Sequence, residues 1–416
     1  MDRKKFLKKA LVTTAAATIL PRHVLGGVGY TAPSDQLTKG IIGVGAMGRG
    51  HMRYSGARLV AVSDVDQRHM DQALSAAPSG TRGYRDYREL LEQNDVDIVH
   101  IVTPPHWHGK MAVDAANAGK DVWCEKPMTR TIAEGQKVVD AVRRNGTIFR
   151  LNTWFRFRSQ FYGFGSTVRP IKKLVENRVF GWPLKVTINL ANGFHWNQGG
   201  GRIDLKPQWI PPHLDYDSWL GPAPWKPYHP HRVHRSFRYY WDYDGGGLGD
   251  MGQHYLDPTQ YLLEKDHTGP VHIEADAPQQ HPDAVSLWNR VELTYSDGCK
   301  IVLDGANRDR EAPFIEGPKG SLYRGFRSDI PDIQKIADSL PEPRDQVTDF
   351  AQAVRDRRRF ALNEENGHRS CSLVNLAITA VRLGRPLEFD PVRQRFIGDE
   401  TANRMIDQPI RAGWQF

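Results

Sequence analysis

Three short motifs carry residue types that do chemistry together. Gly43-Val44-Gly45-Ala46-Met47-Gly48 follows the apolar pair Ile41-Ile42, Glu125-Lys126-Pro127 follows a later apolar run, and Asp250 and His254 stand four apart further on. In the first motif Gly43 permits a tight turn and Gly45 lets the backbone approach a pyrophosphate. Gly48 lets the next helix pack closely on its strand, and Ala46 and Met47 complete the loop. Such a loop predicts an acidic residue about 20 positions on, and Asp64 lies 21 residues after Gly43. Its carboxylate would accept hydrogen bonds from both ribose hydroxyls and repel a 2′-phosphate, which favours NAD over NADP.

Lys126 stands just beyond Val122-Trp123-Cys124-Glu125, at the carboxyl edge of a predicted sheet, where nucleotide ligands bind. Pro127 stops the chain from continuing as a central strand. Asp250 and His254 fall on one face of a predicted helix. A carboxylate beside an imidazole raises its basicity and orients it for taking a hydroxyl proton. The same two residues would also serve as a helix cap and a core histidine. After the third predicted strand, Thr103-Pro104-Pro105-His106-Trp107-His108 faces the nicotinamide side by position. His229, His231 and His234 form a histidine-rich loop without cysteines or carboxylates at ligand spacing, so no metal site is expected. Trp196, Trp219, Trp225, Tyr239, Tyr240 and Trp241 gather aromatic surface near the Asp250/His254 pair, suited to packing or to sugar stacking.

The elements that must position these groups follow from periodicity. Predicted strands at Gly40–Val44, Arg58–Ser63, Val96–Val102, Asp121–Cys124 and Thr147–Leu151 alternate with helical stretches at 87–93, 108–118 and 132–144. That alternation means a parallel sheet covered on both faces. Beyond 157, the segments 185–190, 271–275, 286–295 and 300–304 alternate apolar and polar residues as half-buried antiparallel strands do. Helices are expected at 249–263 and 344–357. The expected fold is an N-terminal Rossmann dinucleotide-binding domain, 37–157, followed by a mostly antiparallel open-sheet α+β domain, 158–416. The loop 199–240 is too long for a simple connector and points to function.

At 416 residues, with 39% hydrophobic and 25% charged residues, the chain has the composition of an ordinary two-domain globular protein. The net charge of +8 is concentrated at the start, where six basic residues face only Asp2 within the first 26, leaving about +3 for the remainder. No basic stripe supports nucleic-acid binding. Asp2-Arg3-Lys4-Lys5-Phe6-Leu7-Lys8 followed by the apolar run Ala10–Leu20 resembles a twin-arginine export signal with Lys in place of the second Arg. An ordinary secretory signal or an uncleaved anchor fits the same residues. Residues 1–36 are therefore expected to be signal and linker, and the protein periplasmic. The three cysteines, Cys124, Cys299 and Cys371, form neither a disulfide framework nor a zinc pair.

Together the glycine loop, Thr103–His108, Glu125-Lys126-Pro127 and Asp250-x-x-x-His254 make the chain resemble the Gfo/Idh/MocA family, the glucose–fructose oxidoreductase and inositol dehydrogenase group. The likeness runs from about Thr38 to Leu387-Glu388-Phe389-Asp390-Pro391. The segment Trp219-Leu220-Gly221-Pro222-Ala223-Pro224, with the long insert around it, looks like the exported bacterial branch of that family. The resemblance implies hydride transfer between NAD and a ring hydroxyl of a sugar or polyol, with Lys126, Asp250 and His254 as the catalytic set. It also implies an open sheet face that builds a homo-oligomer, a dimer or tetramer. NAD contacts are expected from Gly43, Gly45, Ala46, Met47, Gly48, Asp64, Thr103, Pro104, His106, His108, Glu125 and Lys126. Substrate contacts are expected from Trp154, Arg156, Arg238 and Tyr240. Two other activities share the fold, an NAD-dependent glycosidase and a non-catalytic sugar sensor. The Asp250/His254 pattern argues against the first, and retention of Lys126 with His254 argues against the second.

Overall fold

Short aliphatic runs, each followed by an amphipathic stretch, build the first layer of this computed structural model, which describes residues 36–153, 155–156, 167–189 and 200–416. The expected signal and Trp154 lie outside the described residues. Strands β1 (Thr38–Ile42), β2 (Arg58–Ser63), β3 (Arg82–Tyr84), β4 (Ile98–Ile101), β5 (Asp121–Glu125) and β6 (Phe149–Asn152) lie in the order β3-β2-β1-β4-β5-β6. Every neighbouring pair is parallel. All residues of β1, β4 and β5 are buried, as a sheet covered on both faces requires. The crossovers run through α1 (Ala46–His51), α2 (Gln67–Ala76), α3 (Tyr87–Leu91), α4 (His108–Asn117) and α5 (Ile132–Asn145). Asp66 caps α2 by accepting the Arg68 N–H, and Thr131 caps α5 by accepting that of Glu134. Strand order reverses between β1 and β4, so the loops leaving these strands part and open a crevice at the carboxyl edge.

The second layer is a nine-stranded sheet built from β7 (Lys185–Asn189), β8 (His272–Asp276), β9 (Arg290–Thr294), β10 (Lys300–Asp304), β11 (Ile315–Gly317), β12 (Gly320–Tyr323), β13 (Arg327–Ser328), β14 (Leu387–Asp390) and β15 (Arg395–Phe396). Its order is β13-β12-β11-β7-β10-β9-β8-β14-β15, antiparallel except where β10 runs parallel to β7. Three helices bear on the argument: α6 (Val168–Glu176), α7 (Tyr216–Leu220) and α8 (Gly246–Leu262). Further along, α9 (Phe350–Asp356) and α10 (Glu364–Leu383) bear on it too. Leu248, Tyr255 and Leu256 of α8 and Leu373, Leu376 and Ala377 of α10 share one core with Val186, Ile188, Leu293 and Ile301 of the sheet.

The predicted helix over 344–357 begins only at Phe350, where the Asp349 side chain accepts the Gln352 N–H. Helix α10 is absent from the sequence expectations. Its residues 370–381 are all buried, so it lacks the polar face that makes helical periodicity visible. It also ties the two layers together. The Gln253 amide donates to Gly367 O at 2.8 Å, and a Cβ at Gly135 of α5 would stand 2.2 Å from His368 Nδ1.

Candidate active site

The crevice at the carboxyl edge of the parallel sheet is a cleft of about 620 Å³. That is the size range of small-molecule sites. The glycine loop forms one wall. Gly43 adopts φ 84°, and a Cβ there would lie 2.7 Å from Val102 O. A Cβ on Gly48 would stand 1.9 Å from Gly43 O, which is why α1 can follow β1 so tightly. At Gly45 the nearest atom to such a Cβ is 3.8 Å away, on His69, so this glycine leaves open room where a pyrophosphate would approach. Ala46 and Met47 line the same wall, and Met47 is half exposed. Asp64 accepts the Val44 N–H at 2.8 Å and the Asp66 N–H at 2.9 Å, and His69 Nδ1 lies 3.5 Å away. The glycine loop and the acid at the end of β2 are thus bonded to each other, and the residues present fit a dinucleotide.

Thr103, Pro104, Glu125 and Lys126 line the same cleft. Glu125 is buried, and burial alone would raise its pKa. His51 at 2.8 Å, with Lys126 and Asn152, brings it down to about 2, so it stays ionised beneath Lys126. His106 and His108 do not reach the cleft, contrary to expectation. Both are buried. His106 Nε2 faces Trp219 O at 3.0 Å, and burial pushes its pKa down to about 3. The His108 ring spans Pro127 O at 2.7 Å and Thr103 O at 2.8 Å and so braces the two loops. Proximity in sequence to a cleft loop did not put these rings in the cleft: the His106 ring is held at Trp219 O, and His108, at the start of α4, is held between two backbone carbonyls.

Lys126 Nζ donates to Asp250 Oδ1 at 2.9 Å and also to Asp250 O. Arg238 Nε lies 3.0 Å from the same carboxylate oxygen, and both Arg238 and Asp250 line the cleft. Burial works against ionisation of Asp250, but Lys126 and Arg238 outweigh it and hold the carboxyl well below the usual range. Asp250 is not a cap, since α8 begins four residues earlier at Gly246. His254 is one turn further along, 2% exposed and edge-on to Phe155 at 5.3 Å. It does not line this cleft. The expected rise in its basicity is reversed, because burial and the Lys126 charge outweigh Asp250 and lower its pKa to about 3. The imidazole is therefore neutral, in the proton-accepting form.

Two expected substrate contacts lie elsewhere. Arg156 has a fully buried side chain that holds Asp257 at 2.7 Å and Asp266 at 2.6 Å, so its guanidinium is spent on the fold. Tyr240 is fully buried in the insert, with its hydroxyl 2.8 Å from His231 Nδ1. The insert itself packs a small core of Leu214, Tyr216, Trp219, Val233, Tyr240 and Tyr243 against Val65. It is fastened to the first layer on both sides of the cleft. The Gln67 N–H donates to His213 O at 2.9 Å, and the Asp215 N–H donates to Val65 O at 3.0 Å. On the other side the Trp107 indole donates to Trp219 O at 3.0 Å.

Sequence reasoning missed several residues of the cleft. Asp244 is fully buried on its wall, with Oδ1 accepting the Gly245 N–H at 2.7 Å, and burial plus the charge of Asp250 push its pKa up to about 7. Only its place before the Gly245–Gly247 run hinted at a role. Trp414 reaches the cleft from the far end of the chain and packs edge-on to Trp107 at 5.1 Å. No local signal marks it. Among the described residues no helix is long and apolar enough to cross a membrane.

Comparison with known proteins gives the same division. The chain is 33% identical over 393 residues to the uncharacterized oxidoreductase YrbE of Bacillus subtilis, covering 86% of this chain and 98% of that one. It is 32% identical over 189 residues to inositol 2-dehydrogenase of Salmonella typhimurium, an alignment spanning 44% of this chain and 52% of the relative. Among solved structures, WlbA dehydrogenase from Bordetella pertussis, in complex with NADH and UDP-GlcNAcA, superposes with a TM-score of 0.59 at 20% identity, covering 85% and 98% of the two chains. Residues 37–153 match the profile of the oxidoreductase family's NAD-binding Rossmann fold, and residues 164–416 match its C-terminal alpha/beta domain. With both halves matched in order and the glycine loop closed on Asp64, the chain belongs to the Gfo/Idh/MocA oxidoreductase family.

Proposed function

We propose that the protein oxidises a ring hydroxyl of a sugar, glycoside or polyol, with NAD held tightly between turnovers. The observation that carries this reading is the Lys126–Asp250 ion pair, 2.9 Å long, standing in the same cleft as the glycine loop and Asp64. NAD supplies the hydride acceptor. Lys126 donates a hydrogen bond to the reacting oxygen and stabilises developing alkoxide charge. His254, neutral at ordinary pH and buried one turn from Asp250 rather than on the cleft wall, would receive the hydroxyl proton once a substrate is seated, while the hydride would leave the carbon that bears that hydroxyl. Asp250 holds Lys126 in place, and Arg238 shares that carboxylate. The inositol 2-dehydrogenase relative supports a polyol or sugar substrate class.

The insert supports tight retention, since it is bonded to the first layer on both flanks of the nucleotide site. Retention also fits export. A protein delivered to the periplasm by the twin-arginine route carries its cofactor with it and recycles the hydride on a second carbohydrate. Assembly as a dimer or tetramer through the open sheet face belongs to the same reading.

The test is to purify the protein without added cofactor and release nucleotide by denaturation. Absorbance in the reduced-nicotinamide band is then followed while glycosides, sugars and polyols are screened. Release of about one nicotinamide nucleotide per chain and reduction by a carbohydrate are expected. His254→Ala should keep its nucleotide and lose about 10²–10⁴-fold in single-turnover rate. A folded, nucleotide-bound His254→Ala protein with unchanged turnover would remove His254 from the mechanism.

A further inference from the structure

The long insert and the first layer meet at a cluster that the mechanism above does not use. Asp66, from the turn between β2 and α2, stands with His69 of α2 and His234 of the insert, their candidate ligand atoms all within 4.8 Å of one another. Asp66 Oδ2 is 3.3 Å from His234 Nε2 and 3.8 Å from His213 Nε2. We propose that Asp66, His69 and His234 bind one divalent transition cation of the zinc class, leaving the fourth position to water or to a turned His213 ring, and so pin the insert over the nucleotide site.

The distances carry the inference. Zinc–ligand bonds of about 2.0–2.2 Å at tetrahedral angles place neighbouring ligand atoms roughly 3.3–3.5 Å apart. The Asp66–His234 edge already has that length, and the Asp66–His213 edge exceeds it by a few tenths of an ångström. The remaining adjustment falls on rings that can turn, because the His69 and His234 side chains are 30% and 40% exposed. The donors are imidazole and carboxylate, a set that suits zinc and its neighbours in the first transition row rather than calcium or magnesium.

The outer contacts are those of a built site. Asp66 Oδ1 accepts the Arg68 N–H at 2.9 Å, which fixes the carboxylate and leaves Oδ2 facing the histidines. His69 Nδ1 faces Asp64 Oδ2 at 3.5 Å, so its Nε2 is the nitrogen available for ligation, oriented by a carboxylate behind it. The backbone at His234 adopts φ 53°, the left-handed conformation a non-glycine residue rarely holds without a local reason. The other two histidines of this loop are occupied elsewhere, His229 accepting the His231 N–H at 3.0 Å and His231 facing the Tyr240 hydroxyl at 2.8 Å.

The location gives the ion a consequence. Asp66, His69 and His234 all line the cleft beside Asp64, and Asp66 already pairs in an isolated bridge with Leu214 of the insert. A bound cation would cross-link these two segments across the mouth of the adenosine half. The site stands by itself; the expectation that it slows loss of NAD rests on the nucleotide reading above.

The experiment uses the full chain, purified without chelator or affinity metal, dialysed, and measured for metal and for nicotinamide nucleotide in the same sample. Zinc chloride and, separately, cobalt chloride are then titrated into chelator-treated protein. About one equivalent of metal, the visible absorption of four-coordinate cobalt, and a higher thermal midpoint with zinc are expected. His234→Ala should lose the cobalt spectrum. His69→Gln gives a milder second variant that should weaken zinc at least tenfold while keeping the fold by circular dichroism. Zinc removal should speed nucleotide loss from the parent and leave His234→Ala unaffected. A parent that takes up less than a tenth of an equivalent from saturating zinc, or a His234→Ala protein with an unchanged cobalt spectrum, overturns the site. Nucleotide without metal refutes this inference and leaves the NAD reading standing; metal without nucleotide does the reverse.

Discussion

Asp244→Asn tests whether the floor of the cleft stores a proton. Asp244 is completely buried, and its pKa is pushed up to about 7 by burial and by Asp250. In the unfolded chain it would titrate near the ordinary aspartate value of about 3.9. Between these values the folded protein holds a proton that the unfolded chain has lost. Its contribution is therefore fully present below about pH 4 and disappears as the pH rises through about 7. At 1.36 kcal/mol per unit, the three-unit gap amounts to on the order of 4 kcal/mol, of which roughly 2–3 kcal/mol is lost between pH 5 and pH 8. Asparagine keeps an oxygen for the Gly245 N–H and cannot ionise, so the variant should lack this slope. Asp250 titrates at lower pH, its stabilising effect vanishing only as the pH falls below about 4. Urea unfolding of parent and variant at matched nucleotide content, followed by circular dichroism across this range, reads the difference. A parent–variant gap that stays constant from pH 5 to pH 8 refutes a protonated Asp244.

Arg156→Ala should destabilise the protein by about 3–5 kcal/mol, because it strands the buried carboxylate of Asp257 and frees Asp266. Its nucleotide content should be unchanged; a fall in nucleotide with unchanged melting temperature would return Arg156 to the site. Gly48→Ala should disrupt the nucleotide loop, since the new Cβ would lie 1.9 Å from Gly43 O, and a variant that copurifies with parental amounts of NAD would contradict that packing. Asp64→Ala should weaken NAD by roughly 1.5–3 kcal/mol, the value of a hydrogen bond to a charged group. Calorimetric titration of nucleotide-free protein measures it, and an unchanged affinity would shift the ribose contact to Asp66.

The parallel sheet was legible because its signals are local. A strand, a glycine turn and an acid at the end of the next strand all fall within Thr38–Asp64, and the structure bonds Asp64 directly to that turn. The second sheet was legible as alternation, clearest in β9, where alternate residues are buried. What escaped reading is what depends on distant partners. Lys39 looks like an ordinary polar residue before a strand, yet it is fully buried, and its ammonium donates to the carbonyls of His51, Met52 and Tyr54 at the end of α1. Burial lowers its pKa to about 8, and the three carbonyls replace the water it gives up. Arg156 was misread for the same reason. An arginine soon after the last Rossmann strand suits a substrate contact equally well until Asp257 and Asp266, a hundred residues away, are seen to surround it.

The same distinction explains how the two halves of the site differ. The nucleotide half is made by backbone turns, so glycine spacing encodes it. The half proposed to react joins Lys126 to Asp250 across 124 residues, a contact that needs α8 to be placed in the core it shares with α10. Gln253, between Asp250 and His254, fixes that position. Its side-chain oxygen accepts the Met128 N–H at 2.8 Å, just past Lys126, while its amide donates to Gly367 O of α10 at 2.8 Å. This buried amide therefore joins the lysine turn, the Asp250/His254 helix and the long helix behind them. Asp250 and His254 thus flank a residue committed to structure, which bonds their turn of α8 to the loop that carries Lys126.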